Sequence, residues 1–113
     1  MNSKAKGSAG EREFAALCRD QGYNDAHRAQ QQYTHGIDHP DVAGLPGIHI
    51  EVKRCEKLNI YEAMAQSIRD SEGRAAPIVA HRRNRSEWLI TMRADNWFSL
   101  YREWDADRYL AGQ

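Results

Sequence analysis

The sequence predicts a mixed α/β domain on three observations: its length, an alternating strand near its middle, and helical periodicities on both sides of that strand. The chain has 113 residues, of which 41% are hydrophobic and 9% aromatic, enough apolar material for one compact core. From Ile48 to Arg54 apolar and polar residues alternate, the period of a strand with two different faces. The order read along the chain is α-β-β-α-β-β-α, a mixed central sheet flanked by helices. Residues 1–113 are read as a single domain, with 1–7 as an N-terminal arm and 106–113 as a tail.

Ser8 followed by Glu11 has the form of a capping box, and Phe14, Leu17 and Cys18 then recur at helical spacing, so a first helix is expected from Ala9 to Gln21 and stopping at Gly22. The stretch from Tyr23 to His39 is polar and irregular, with a short strand near Ala26–Ala29. Pro40 to Ala43, the turn Gly44-Leu45-Pro46-Gly47 and the run Ile48 to Arg54 form a hairpin. On its second strand Ile48, Ile50 and Val52 share the packing face, and His49, Glu51 and Lys53 share the other. A second helix is expected over Ile60–Ser71, with Tyr61, Met64, Ala65 and Ile68 facing inward and Gly73 as its stop. Strands follow at Pro77–Ala80 and Trp88–Thr91. Asp95 is placed to cap a last helix whose Trp97, Leu100, Tyr101 and Trp104 repeat every three or four residues, the spacing of a buried stripe. A base-stacking platform is the alternative reading of those aromatics.

The formal net charge is zero, which by itself argues against a polyanionic partner. The basic residues are unevenly distributed, however, and Lys4, Lys6, Arg12, Lys53, Arg54, Lys57, Arg82, Arg83 and Arg85 fall near glycines and turns. Two cysteines far apart, with no signal peptide and no membrane-length apolar run, read as reduced thiols in a cytoplasmic protein, in the host cytoplasm if it is phage-encoded. His35 and His39 have a spacing that could clip zinc but no matching ligand pair, and read as loop histidines.

Asp41 and Glu51 lie on neighbouring strands of the hairpin with nine residues between them, and Lys53 shares a face with Glu51 because strand side chains repeat every two residues. Two carboxylates suit a hard divalent cation such as Mg²⁺, which takes few protein oxygens and completes its shell with water and phosphate. The Ile50 carbonyl between them is a further candidate ligand. An ammonium beside them can orient a water and offset charge developing on a phosphate. Each residue has an ordinary reading of its own: Glu-x-Lys is common on solvated strands, Pro-Asp can simply begin a strand, and a capping box accounts for Glu11.

Taken together, Pro40-Asp41, Glu51-Val52-Lys53 and the preceding Lys6-Gly7-Ser8-Ala9-Gly10-Glu11-Arg12-Glu13 resemble the Holliday-junction resolvases of archaea and some phages, within the PD-(D/E)XK (restriction-endonuclease-like) nucleases. The resemblance extends to Tyr61 and its helix, and to the strand Gly73–Ala80 followed by Trp88, leaving the last helix as an addition or a divergent end. It implies that Asp41 and Glu51 are metal ligands, that Glu11 helps bind the metal, and that Lys53 is the catalytic lysine. Asp38 competes with Asp41 for the ligand role. Arg12 and Arg28 would contact phosphate, Lys6 and Ser8 would lie at a helix N-terminus that favours phosphate, and Gln66 would sit beside the active site. Arg54, Lys57, Arg82, Arg83 and Arg85 complete the expected DNA contacts. The stretch from Gln30 to His39 departs from the Ser/Gly-rich loop of the archaeal proteins. The implied activity is Mg²⁺-dependent incision of four-way DNA junctions by a homodimer, with Mn²⁺ able to substitute and no membrane partner. A nuclease acting on nicks, flaps or duplex sites and a non-catalytic DNA-binding module are the alternatives. The dimer interface is expected on the second helix and neighbouring strands, with Met64, Ile68 and the Trp88 strand as candidates.

Overall fold

A computed structural model describes residues 3–29 and 40–112. Helix α1 (Ser3–Asp20) leads to β1 (His27–Arg28), β2 (Val42–Ala43) and β3 (Ile48–Arg54). Helix α2 (Ile60–Ser71), β4 (Ala76–Arg82), β5 (Leu89–Met92) and helix α3 (Ala94–Ala111) follow. The strands form one sheet in the order β1-β2-β3-β4-β5. All neighbours are antiparallel except β3 and β4, which run parallel over seven registered pairs from Ile48↔Ala76 to Arg54↔Arg82. A parallel pair needs a crossover, and α2 is that crossover.

The two helices cover opposite faces of the sheet. Phe14, Ala15 and Cys18 of α1 pack on Val42, Ile50, Val52, Ile78 and Ala80, and each fully buried aliphatic side chain contributes about 1.5–3 kcal/mol. The close approach is possible because residue 10 is glycine: a Cβ there would stand 2.9 Å from the Cβ of Arg54. On the other face α2 buries Ala63, Ser67 and Ser71. These small residues let the helix lie close enough to β4 for the Ser67 hydroxyl to donate to the Ile78 carbonyl at 2.9 Å. The expectation that Tyr61, Met64, Ala65 and Ile68 face inward is therefore corrected. Tyr61 and Ile68 are exposed, because contact with a flat sheet favours the small stripe of this helix over its large one. Asn59 caps α2 by accepting from the Glu62 amide, and the stop comes one residue before Gly73, at Glu72 in the left-handed region.

Helix α1 begins at Ser3 rather than Ala9, so Ser8 and Glu11 are not a capping box; they sit one turn apart inside the helix. Ser8 and Lys6 consequently do not form a helix N-terminus. The N-cap of α3 is Arg93, without a side-chain bond, and Asp95 lies in the first turn. That helix continues to Ala111, so most of the segment read as a tail is helical. Its aromatics are not core: Trp97, Tyr101 and Trp104 are exposed. Asp38, His35, His39 and the stretch from Gln30 lie outside the described residues. Among the described residues no helix is long and apolar enough to cross a membrane.

The β2–β3 turn depends on Gly44, whose φ is +110°; a Cβ there would fall 2.5 Å from the Asp25 carbonyl oxygen. Replacing Gly44 by Ala should destabilise the protein by about 1–3 kcal/mol or more, since both the backbone conformation and the space exclude a side chain. Gly7→Ala, inside α1 with open space around it, should instead add up to about 1 kcal/mol. Urea titrations of the two variants test this opposite pair of signs.

Candidate active site

The site is assembled on the centre of the sheet. Because Val42 pairs with Ile50 in antiparallel register, Asp41 stands opposite Glu51, on the same face of the sheet. The Asp41 amide donates to the Ile50 carbonyl at 2.8 Å, and its carboxylate accepts from the Val52 amide at 2.8 Å. The position of Asp41 is thus fixed twice from β3, through main chain and side chain. The Ile50 carbonyl, a candidate ligand from sequence, already accepts this strand hydrogen bond.

Glu51 is 2% exposed, because α2 roofs the face that sequence alternation left as an open chemical surface. Burial and the neighbouring Glu51 carboxyl, within hydrogen-bond reach, push the Asp41 pKa up to about 7, against the smaller opposing effects of the Val52 amide and the Lys53 ammonium. Two adjacent, desolvated carboxyl groups are a donor set that a divalent cation fits, since it would offset the charge that burial and mutual repulsion disfavour. Lys53 donates to the Gln66 side-chain oxygen at 3.3 Å. Gln66 thereby brings α2 into the site and holds the ammonium near the carboxyl pair.

Two residues that sequence reasoning did not assign complete this centre. The His49 Nε2 lies 3.1 Å from Glu51 Oε1, with both side chains buried, and a proton on Nε2 would donate to the carboxylate and fix its rotation. His49, Glu51 and Asp70 of α2 bring one ligand atom each to within 4.8 Å of one another. Imidazole in that set suits a borderline ion such as Zn²⁺ better than the all-oxygen Asp41–Glu51 pair does. His49 was legible as sharing the face of Glu51. Asp70 was not, because its approach depends on where α2 docks.

Glu11 is drawn elsewhere. It accepts from Arg28 Nε at 2.5 Å, and Arg28 also donates to the Ser8 hydroxyl at 3.0 Å. Arg28, read from sequence as a phosphate contact, thus ties β1 to α1. Arg54 and Arg82 both reach Glu13, Arg54 at 3.4 Å and Arg82 in a short ion pair, while the Trp88 indole donates to the same carboxylate at 3.0 Å. Glu13 therefore clamps α1 to β3, β4 and the segment before β5, and it occupies two of the expected phosphate-binding arginines. Arg12, Lys57, Arg83 and Arg85 are exposed. In the β4–β5 turn, Arg83 donates to Ser86 and the Asn84 amide to Glu56.

No family model matches the chain, and no curated protein matches it. Among solved structures it is similar to Hjc of Archaeoglobus fulgidus, a Holliday junction resolvase from an archaeal hyperthermophile, with a TM-score of 0.59 and 22% identity over 76% of each chain. The chain shares the fold of that protein. The mixed five-stranded sheet between α1 and α2 is the mixed central sheet flanked by helices that the sequence predicts.

The raised Asp41 pKa has a consequence for the metal-free protein. Its value in the unfolded chain is near 3.8, so between about pH 4 and pH 7 the folded state holds a proton that the unfolded state has released. Stability should fall as pH rises through that window, by at most about 1.4 kcal/mol per unit. Asp41→Asn should flatten the dependence, as should millimolar Mg²⁺, which favours the ionised pair. Urea midpoints measured in EDTA at pH 4.5 and 7.5 check this, and equal midpoint shifts for wild type and variant would remove the assignment.

Proposed function

We propose that this chain is a divalent-metal-dependent DNA endonuclease that resolves four-way junctions as a homodimer. The observation that carries the reading is the buried Asp41–Glu51 pair on adjacent strands with Lys53 two residues along the same strand. The resolvase fold around it supports the substrate class.

Asp41 and Glu51 would hold the cation, which when bound supplies Lewis acidity and lowers the pKa of a water for attack on a phosphodiester. The protein's own residues do the rest. Lys53, held by Gln66, offsets the negative charge that develops on the attacked phosphate. His49 keeps the Glu51 carboxylate in one orientation. Glu11 would reach the centre only by exchanging its Arg28 partner, which would also release the Arg28 guanidinium toward phosphate. A four-way junction is two-fold symmetric and each chain carries one such site, so paired incision calls for two chains.

Incubation with a labelled four-way junction, a flap and a linear duplex, each with and without Mg²⁺, tests the reading. Metal-dependent paired cuts in the junction support it. Equal cutting of linear duplex replaces it with a general nuclease of this fold, and binding without cutting replaces it with a DNA-binding module. Glu51→Gln and Lys53→Ala should each abolish cleavage while junction affinity stays within about tenfold, or about 1.4 kcal/mol, because phosphate contacts elsewhere dominate binding.

The exposed Arg83 and Arg85 side chains are the part of the β4–β5 turn free to meet phosphate, whereas Arg82 is engaged by Glu13. Replacing Arg83 and Arg85 by Ala should lower the slope of log K against log salt by up to about two units. Arg82→Ala should leave the slope unchanged and lower the melting temperature instead.

A further inference from the structure

On the side away from Lys53, Glu51 meets a second set of donors, chemically different from its pairing with Asp41. His49 and Glu51 share the α2-facing side of β3 and are both buried, with His49 Nε2 3.1 Å from Glu51 Oε1. Helix α2 runs back along β3, so that Gln66 arrives over Lys53 and Asp70, one turn further on the same side of the helix, arrives over His49. One ligand atom from each of His49, Glu51 and Asp70 lies within 4.8 Å of the other two. None of the ion pairs among the described residues engages Asp70.

The spacing of these atoms suits a metal as well as their chemistry does. Zn²⁺ binds imidazole and carboxylate at about 2.0–2.2 Å in a tetrahedron, which sets neighbouring donors about 3.4 Å apart. His49 and Glu51 already stand close to that separation. Asp70, in the last turn of α2, closes the remainder, on the order of 1 Å, by rotation of its side chain, and a water takes the fourth position. Imidazole sets the class of ion, because a nitrogen donor suits Zn²⁺ and its transition-metal neighbours whereas Mg²⁺ prefers oxygen alone.

Charge decides how many ions the centre holds. Asp41, Glu51 and Asp70 bring three carboxylates to this face and Lys53 brings one ammonium. One divalent cation cancels the remainder. A second would leave positive charge uncompensated on a face that α2 covers, which is costly away from water.

We infer that His49, Glu51 and Asp70 form a binding site for a borderline divalent cation, with Zn²⁺ as its probe, and that an ion held there excludes the hard cation from the Asp41–Glu51 pair. The site stands on its own donors, while the exclusion rests on the reading above that Asp41 and Glu51 hold the catalytic ion. Both ions draw on Glu51, so each weakens the other by the same factor. Zn²⁺ is then an off-switch for the centre and not a second catalytic ion.

Titration of the metal-free full chain with Zn²⁺ against a chromophoric chelator, without DNA, tests the site. Wild type should bind one equivalent, and Co²⁺ in its place should show the visible absorption of a four-coordinate ion. His49→Ala and Asp70→Asn should each weaken Zn²⁺ by at least about tenfold, a loss seen even when a residue that only supports a ligand is removed. Asp70 is half-buried near a helix end, so Asp70→Asn should keep the fold, which far-UV circular dichroism checks. Asp41→Asn should cost less than tenfold, and millimolar Mg²⁺ should weaken Zn²⁺ binding by wild type but not by Asp41→Asn. A wild type that binds no Zn²⁺ overturns the site, as does binding that survives His49→Ala and is lost in Asp41→Asn. Mg²⁺ that leaves wild-type Zn²⁺ binding unchanged overturns the exclusion. If the chain cuts junctions in Mg²⁺ but binds no Zn²⁺, the nuclease reading stands and this inference falls. If Zn²⁺ binds as described to a chain that cuts nothing, the site stands and the nuclease reading falls.

Discussion

Removing a carboxylate from water costs several kcal/mol even after the protein relaxes around it, and this chain removes two, side by side, at the centre of its sheet. The arrangement around Asp41 and Glu51 follows from that cost. The Val52 amide and the His49 ring each meet one of the pair, and Lys53 contributes a nearby positive charge that Gln66 keeps in place. Without a cation, the compensation available to Asp41 is to keep its proton to about pH 7. A site that costs stability in this way is expected where its groups do chemistry, since replacing such a cluster by apolar residues would stabilise the fold.

The surrounding architecture serves the rigidity of that centre. Seven parallel pairs join β3 to β4, α1 and α2 close the two faces, and Glu13 fastens α1 to Arg54, Arg82 and Trp88. Glu13 explains why arginines that look like phosphate contacts in the sequence are engaged inside the protein. Of the described cations read from the sequence as phosphate contacts, Arg12, Lys57, Arg83 and Arg85 are the exposed ones, and under the proposed function phosphate contact would fall to them.

Several local signals were overruled for reasons that lie outside their own segments. Ser8 and Glu11 have the spacing of a cap, yet the helix starts at Ser3 and Arg28 gathers both side chains from a strand twenty residues on. The large apolar residues of α2 predict its inner face, but a helix crossing directly over a parallel pair uses its small residues, and Ser67 reaches the Ile78 carbonyl. The aromatics of α3 have the period of a buried helix, yet among the described residues Trp97, Tyr101 and Trp104 stay exposed.

The sequence by itself determined what depends on neighbours a few residues apart. That includes the β2–β3 hairpin, the extent of α2, the fold class, and the placing of Asp41, Glu51 and Lys53 on one face, because turn chemistry and the two-residue strand period are local. Tertiary structure alone decided what depends on distant segments meeting: the parallel β3–β4 pairing, the Glu13 clamp, the approach of Asp70 to His49, and the burial that raises the Asp41 pKa. Desolvation and ion pairing are set by whichever groups fill the space around a side chain, and that space is defined only when the sheet, α1 and α2 have closed over it.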